Sequence, residues 1–196
     1  MRGRFIVLEG PDGSGTTTHA ALLAKNLQKN GIDTLLTAEP TNGPIGVFIR
    51  QELQKGALPP SALQLLFTAD RAWHVDTVLQ QALEAGKTVI SDRYSLSTLI
   101  YGSALGLFRD WLENMNKYFI QPDVQIILLP SFETCFQRMS NRGAKDILES
   151  QDSLQRSVYD GYVASAHQFD IPAVDTAGSL ELAAEKILQC VLTHSR

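Results

Sequence analysis

The segment Phe5-Ile6-Val7-Leu8-Glu9-Gly10-Pro11-Asp12-Gly13-Ser14-Gly15-Thr16-Thr17-Thr18 begins as an unbroken apolar run and ends in a cluster of glycines and hydroxyl residues. The apolar run predicts a buried strand, the glycines a tight turn, and the residues from Thr16 onward the opening of a helix. Gly10 and Gly15 have the spacing of the phosphate-cradling pattern G-x-x-x-x-G-K-[ST], the P-loop. In such a turn successive backbone N–H groups point inward and can hold phosphate oxygens. Glycine serves where the backbone takes positive φ or must lie against the ligand. Thr17 stands where the Mg²⁺-binding hydroxyl belongs, but Thr16 replaces the lysine. A glycine-rich turn alone more often marks an ordinary turn, so the neighbouring strand and helix are what favour phosphate binding.

Outward from this segment, apolar runs alternate with helical patterns. Ala20, Leu22, Leu23 and Leu27 recur at near-helical spacing and Gly31 stops the helix. Thr34–Ala38 predicts a second strand, and the prolines and glycine of residues 39–44 a loop. Ile45–Gln54 reads as a helix. Pro59-Pro60-Ser61 opens another, with Ser61 as N-cap, running to about Ala85 with a kink. Strands are predicted at Thr88–Asp92, Val124–Leu129 and Ala173–Asp175. Helices are predicted at Ser95–Leu105, Asp110–Phe119, Phe132–Asn141, Leu154–Phe169 and Leu180–Leu192. Such alternation implies a parallel sheet covered on both faces. Ligands of open parallel sheets bind beyond the carboxyl ends of the strands. That rule gathers Pro11–Thr17, Glu39–Pro40, Asp92–Arg93 and Asp175–Gly178 around one crevice.

Composition sets the outer bounds. A chain of 196 residues, 44% hydrophobic and 19% charged, suits one domain with a sizeable core. A net charge of −4 argues against polymeric nucleic acid as a partner but allows a small phosphorylated ligand. No run approaches the roughly 20 apolar residues of a membrane span, and Met1-Arg2-Gly3-Arg4 leads at once into a strand. Cys135 and Cys190 lack metal-ligand spacing and read as reduced, packed thiols. The chain reads as cytoplasmic.

Phosphoryl transfer needs cations and carboxylates in position more than covalent chemistry. Asp92-Arg93 ends the third strand: the carboxylate can hold Mg²⁺ and the guanidinium can clamp a phosphate, although an isolated Asp-Arg pair is more often a surface pair. Phe67 and Arg71, four apart, share a helix face and can stack on a base and bond its edge. The alternative is a plain amphipathic helix. Trp73 and His74 read as packing residues. Arg138, Arg142 and Lys145 cluster near a helix end, where the dipole favours cations or a closing lid needs them.

Together these pieces resemble the thymidylate kinase family of nucleoside-monophosphate kinases. Its markers are Phe5–Gly13, Glu39-Pro40-Thr41, Leu66–Arg71, Asp92-Arg93-Tyr94 with Ser97 and Tyr101, and Pro122-Asp123, in that order along nearly the whole chain. The resemblance implies a three-layer α/β P-loop fold with a five-stranded parallel sheet. It implies one kinase domain over residues 1–196, with a short lid at about 140–152. It also implies transfer of a phosphoryl group from ATP to dTMP with Mg²⁺, and a homodimer. Gly10, Pro11, Asp12, Gly13, Ser14, Gly15, Thr16, Thr17 and Thr18 would cradle ATP. Arg138 would assist them, and Thr176 and Gly178 would lie near adenine. Thr17 and Asp92 would hold the metal. Phe67 would stack on thymine, Arg71 would contact its edge, Glu39 and Pro40 would line the pocket, and Arg50 and Arg93 would hold the acceptor phosphate. Ser97, Thr98 and Tyr101 would complete that half, with Tyr101 crowding the sugar 2′ carbon. Asp12 and Arg93 would act on the reacting phosphates.

Three departures stand out. Gly13 leaves the P-loop without the arginine that some members carry there, so a lid residue, Arg142 first and Lys145 second, would replace it catalytically. Gly102 stands where several relatives have a base-reading glutamine. Ala38 precedes Glu39 where many have arginine. Two further readings follow from Thr16 and Gly102: a nucleotide-binding protein with weak or no kinase activity, and a kinase for another nucleoside monophosphate.

Overall fold

The computed structural model describes residues 2–142, 146–149 and 151–193. β1 (Phe5–Glu9) is buried along its whole length. Large apolar side chains leave both of its faces, Ile6 and Leu8 to one side and Phe5 and Val7 to the other. That two-sided pattern is what a central parallel strand requires. Around it lie β2 (Thr34–Ala38), β3 (Thr88–Asp92), β4 (Val124–Leu128) and β5 (Ala173–Val174), all parallel, in the order β2-β3-β1-β4-β5. Leu8 pairs with Asp92 and Ile126, and Ala38 also pairs with Asp92, so the strands end together at one edge.

One face is covered by α1 (Thr16–Lys29) and α9 (Leu180–Thr193), whose Ala20, Leu23, Leu27, Ile187 and Val191 pack on Ile6, Leu8, Ile90 and Ile126. The other face carries α3 (Pro60–His74), α4 (Gln80–Glu84), α5 (Ser95–Ala104) and α8 (Asp152–Gln168). α2 (Pro44–Lys55) packs on α3, α6 (Arg109–Asn116) packs on α5, and α7 (Phe132–Asn141) follows β4. This is the parallel sheet covered on both faces that the strand–helix alternation implies, and the three-layer P-loop architecture that the family resemblance implies.

Several boundaries differ from the sequence expectation. α3 begins at Pro60 with Pro59 as N-cap and no side-chain cap, so Ser61 lies inside the first turn. A proline at N1 needs no donor partner, which is why the cap is dispensable. The expected kink is a π-helical segment, Val75–Leu79, in which the Gln80 N–H bonds back to the Val75 carbonyl. It separates α3 from α4 and starts directly after His74. α6 ends at Asn116, before Phe119, and α8 starts at Asp152, before Leu154. Cys135 is buried and Cys190 half-buried, and neither is in a disulfide. Among the described residues no helix is long and apolar enough to cross a membrane.

Candidate active site

The P-loop leaves β1 at Glu9 and enters α1 at Thr16. Gly13 and Gly15 take φ of 81° and 93°, the left-handed region open to glycine. The loop is tied through its carbonyls. Arg93 donates to the Gly10 oxygen at 2.6 Å, Arg138 to the Gly13 oxygen at 3.3 Å, and the Thr176 hydroxyl to the Ser14 oxygen at 2.6 Å. Pinning the carbonyls fixes the peptide planes, and with them the N–H directions that a phosphate cradle uses. Thr16 is almost fully buried at the start of α1, and the buried Ser14 hydroxyl has no hydrogen-bond partner among the described residues.

β3 delivers Asp92 and Arg93 beside this loop. The Thr17 hydroxyl donates to Asp92 Oδ2 at 2.5 Å, while Asp92 Oδ1 is buried and has no partner among the described residues. A hydroxyl beside a carboxylate oxygen with spare capacity is a donor set that fits Mg²⁺. Arg93 adopts φ of 68°, uncommon for a residue with a side chain. Its backbone N–H is held by the Leu8 carbonyl at 2.9 Å. Its guanidinium bonds Asp12 Oδ1 at 2.7 Å, the Ser97 hydroxyl at 3.2 Å and the Tyr162 hydroxyl at 3.1 Å. Asp12 Oδ2 in turn accepts from Tyr101 at 2.7 Å.

Beneath Arg93 lies Glu9, fully buried at the end of β1. It accepts from the Tyr94 N–H at 2.9 Å, the Ser97 hydroxyl at 2.6 Å and the Tyr162 hydroxyl at 3.2 Å. Burial pushes its carboxyl up to about 7, against the opposing pull of Ser97 and Arg93. Burial likewise raises the Tyr101 and Tyr162 hydroxyls, which therefore remain protonated donors.

The acceptor side is a cavity of about 140 Å³, partly open to solvent. Asp12, Glu39, Pro40, Phe67, Arg71, Arg93, Ser97, Thr98 and Tyr101 all line it. Arg71 is 1% exposed and ion-paired with Glu39 at 2.7 Å. It bonds Thr98 at 3.0 Å and donates to Asn116 Oδ1, and its guanidinium lies 5.0 Å from the Tyr94 ring centre. His74 bridges Glu39 Oε1 at 3.0 Å and the Thr37 hydroxyl at 2.7 Å. It is thus part of the polar frame as well as packed. Asp70 holds the next turn, accepting from the Thr41 N–H at 2.7 Å and its hydroxyl at 2.6 Å.

Arg50 is not among the residues lining this cavity. It donates to the Thr41 and Pro40 carbonyls and to Asn42, and lines an adjoining cleft with Thr17, Asp92 and His74. Arg138 bonds the Thr176 carbonyl at 2.7 Å, next to Gly13. Arg142 pairs with Glu149 at 2.6 Å on the surface, so Arg93 and Arg138 are the cations seen bonded to loop carbonyls. Lys145 lies outside the described residues. From the segment expected to form a lid, Asp146 and Leu148 line the cavity, and Gln155 ties the Leu148 carbonyl at 2.9 Å. Among the described residues nothing stands within 4 Å of where a Cβ would project from Gly178, leaving that edge open beside Thr176.

Sequence reasoning missed Glu9, Gln64, Tyr94, Asn116, Gln155 and Tyr162 at this site. A carboxylate ending an apolar strand was the available signal for Glu9. Tyr162 arrives from α8, far along the chain, and carries no local signal.

A parallel sheet with a glycine-rich loop from its central strand into α1, and acidic and basic groups at the neighbouring strand ends, defines a P-loop nucleotide-binding enzyme. The family profile described as thymidylate kinase matches residues 8–187. Probable thymidylate kinases of Pyrococcus abyssi and Thermococcus kodakarensis are 40% and 36% identical, with 97% and 96% of this chain and 97% of each relative covered. One from Methanococcus aeolicus is 42% identical over 78% of this chain and 74% of its own. The chain belongs to the thymidylate kinase family.

Proposed function

We propose that this protein transfers the γ-phosphoryl group of ATP to dTMP, giving ADP and dTDP. The observation that carries the reading is continuity: the Phe67–Arg71 cavity and the P-loop share Asp12 and Arg93, bonded at 2.7 Å, at their junction. An acceptor phosphate oxygen attacks Pγ, the bond from Pγ to the bridging oxygen breaks, and ADP leaves with that electron pair. Loop amides of Gly10–Thr18 bind the donor phosphates. Arg93 and Asp12 align the junction, while the cations Arg138 and Arg142, with Lys145, serve the donor side. Phe67 stacks on the base, Arg71 meets its edge, and Glu39, Pro40, Ser97, Thr98 and Tyr101 shape the rest of the acceptor cavity. Arg50 supports the Pro40–Thr41 turn and faces the acceptor phosphate from the adjoining cleft. Thr17 and Asp92 would hold Mg²⁺, which would neutralise charge on the β- and γ-phosphates.

Coupled ADP release with dTMP, dUMP, dCMP and dGMP tests the reading. Turnover should be fastest with dTMP, and folded protein inactive on all four with Mg²⁺ present would refute it. The protein acts as a homodimer in this proposal, supported by the exposed Val47, Phe48 and Leu65 on the packed pair α2 and α3. A monomeric mass by sedimentation at assay concentration would remove that part.

A further inference from the structure

Gln64 lies on α3, one turn before Phe67 and two turns before Arg71, and lines the same cavity. It is fully buried, yet neither its amide oxygen nor its amide nitrogen has a hydrogen-bond partner among the described residues. A primary amide desolvated on both of its polar atoms is costly unless something in the cavity pairs with it. Three of the other acceptors lining the cavity are engaged, whereas the Tyr94 hydroxyl, which also lines it, has no partner among the described residues. Asp12 accepts from Arg93 and Tyr101, Glu39 faces Arg71 and His74, and Thr98 accepts from Arg71.

A thymine presents two carbonyl oxygens flanking an N3–H. Arg71 is a donor and cannot receive that proton. A carboxamide can: its oxygen accepts N3–H while its NH₂ donates to the neighbouring carbonyl. No side chain enters from α5 at the position of Gly102. A Cβ there would stand 2.7 Å from both methyl carbons of the buried Leu112.

We propose that Gln64 reads the imide edge of the acceptor base, a role that rests on dTMP being the acceptor. Together with Arg71 it fixes the order of donors and acceptors along the base. Cytosine, with an amino group in place of O4, then meets the Arg71 donor with a donor of its own.

The test compares dTMP with 3-methyl-dTMP in the wild-type enzyme and in Gln64→Ala, by kcat/KM in a coupled ADP assay. Gln64→Ala should lose about 10–100-fold on dTMP through KM, as expected for an unpaired buried N–H. The KM for ATP should not move. The wild type should disfavour 3-methyl-dTMP strongly, and the variant should shrink that ratio by about tenfold or more, because two changes at one contact are not additive. An unchanged ratio overturns the proposal, whether or not dTMP turnover falls, because a residue that merely supports α3 would slow both substrates alike. If Gln64→Ala melts early, Gln64→Met keeps the volume and is read by the same ratio. A wild-type enzyme inactive on dTMP removes the functional reading and this proposal with it, whereas an active one with an unchanged ratio removes Gln64 alone.

Discussion

Thr16 sits where a P-loop lysine would reach the β- and γ-phosphates, so the donor half must find its charge elsewhere or go without. Losing one stabilising donor costs about 10²–10³ in rate when nothing replaces it. Arg138 is our candidate for that charge, because it reaches the loop from behind, held to the Gly13 carbonyl at 3.3 Å and the Thr176 carbonyl at 2.7 Å. Thr16→Lys is therefore expected to change kcat by less than about fivefold, because a second cation adds little to a site already supplied. Arg138→Met should lower kcat/KM for ATP by about tenfold or more. A gain approaching the full 10²–10³ on Thr16→Lys, in steady-state assays at saturating dTMP, would mean a crippled loop. Site residues were readable in the sequence when they stood on a motif, as Phe67, Arg71, Asp92 and Arg93 do. Arg142 read as the compensating cation through the family resemblance, because its place near a helix end did not decide the matter. Its ion pair with Glu149, seven residues on, is a contact that neither helical nor strand spacing encodes.

Strands and helices with strong periodicity were readable as elements, because burial on one or both faces writes itself into residue order. What escaped was the π-helical form of the expected kink at Val75–Leu79, the early start of α8, and the frame around the 39–41 turn, which is set by partners distant in sequence. That turn depends on α2 lying unusually close. A Cβ on Gly46 would fall 2.0 Å from the Thr41 carbonyl oxygen and 2.5 Å from its nitrogen, both rigid backbone atoms. Thr41 is gripped from its other side by Asp70, so it cannot retreat. Gly46→Ala should thus move α2 or break the Thr41–Asp70 pair. The helix gains up to about 1 kcal/mol in propensity, but overpacking costs about 1–3 kcal/mol. A lower urea midpoint and a raised KM for dTMP are expected, with KM for ATP unchanged. A variant as stable as wild type with normal KM would show that the approach is looser than these distances state.

At the scale of the whole molecule, the site places a carboxylate in the centre of the core. Glu9 ends the fully buried central strand, and its carboxyl titrates at about 7 in the fold against 4.5 in the open chain, with burial as the largest cause. Below 4.5 it is protonated in both states and adds no pH dependence. Between 4.5 and about 7 the unfolded chain releases the proton while the folded one keeps it, so stability falls as pH rises. Above that window the penalty is constant, at up to about 3 kcal/mol, since each tenfold change in proton affinity corresponds to about 1.4 kcal/mol. Glu9→Gln removes this titration and leaves every other group in place. Its stability relative to wild type, from urea unfolding at pH 5, 6, 7 and 8, should rise steadily to about pH 7 and then level. Any loss of the Ser97 and Tyr162 bonds shifts that difference by the same amount at every pH. A difference that stays flat, or shrinks as pH rises, would show that the fold holds Glu9 ionised, with Arg93 and its hydrogen-bond donors outweighing its burial.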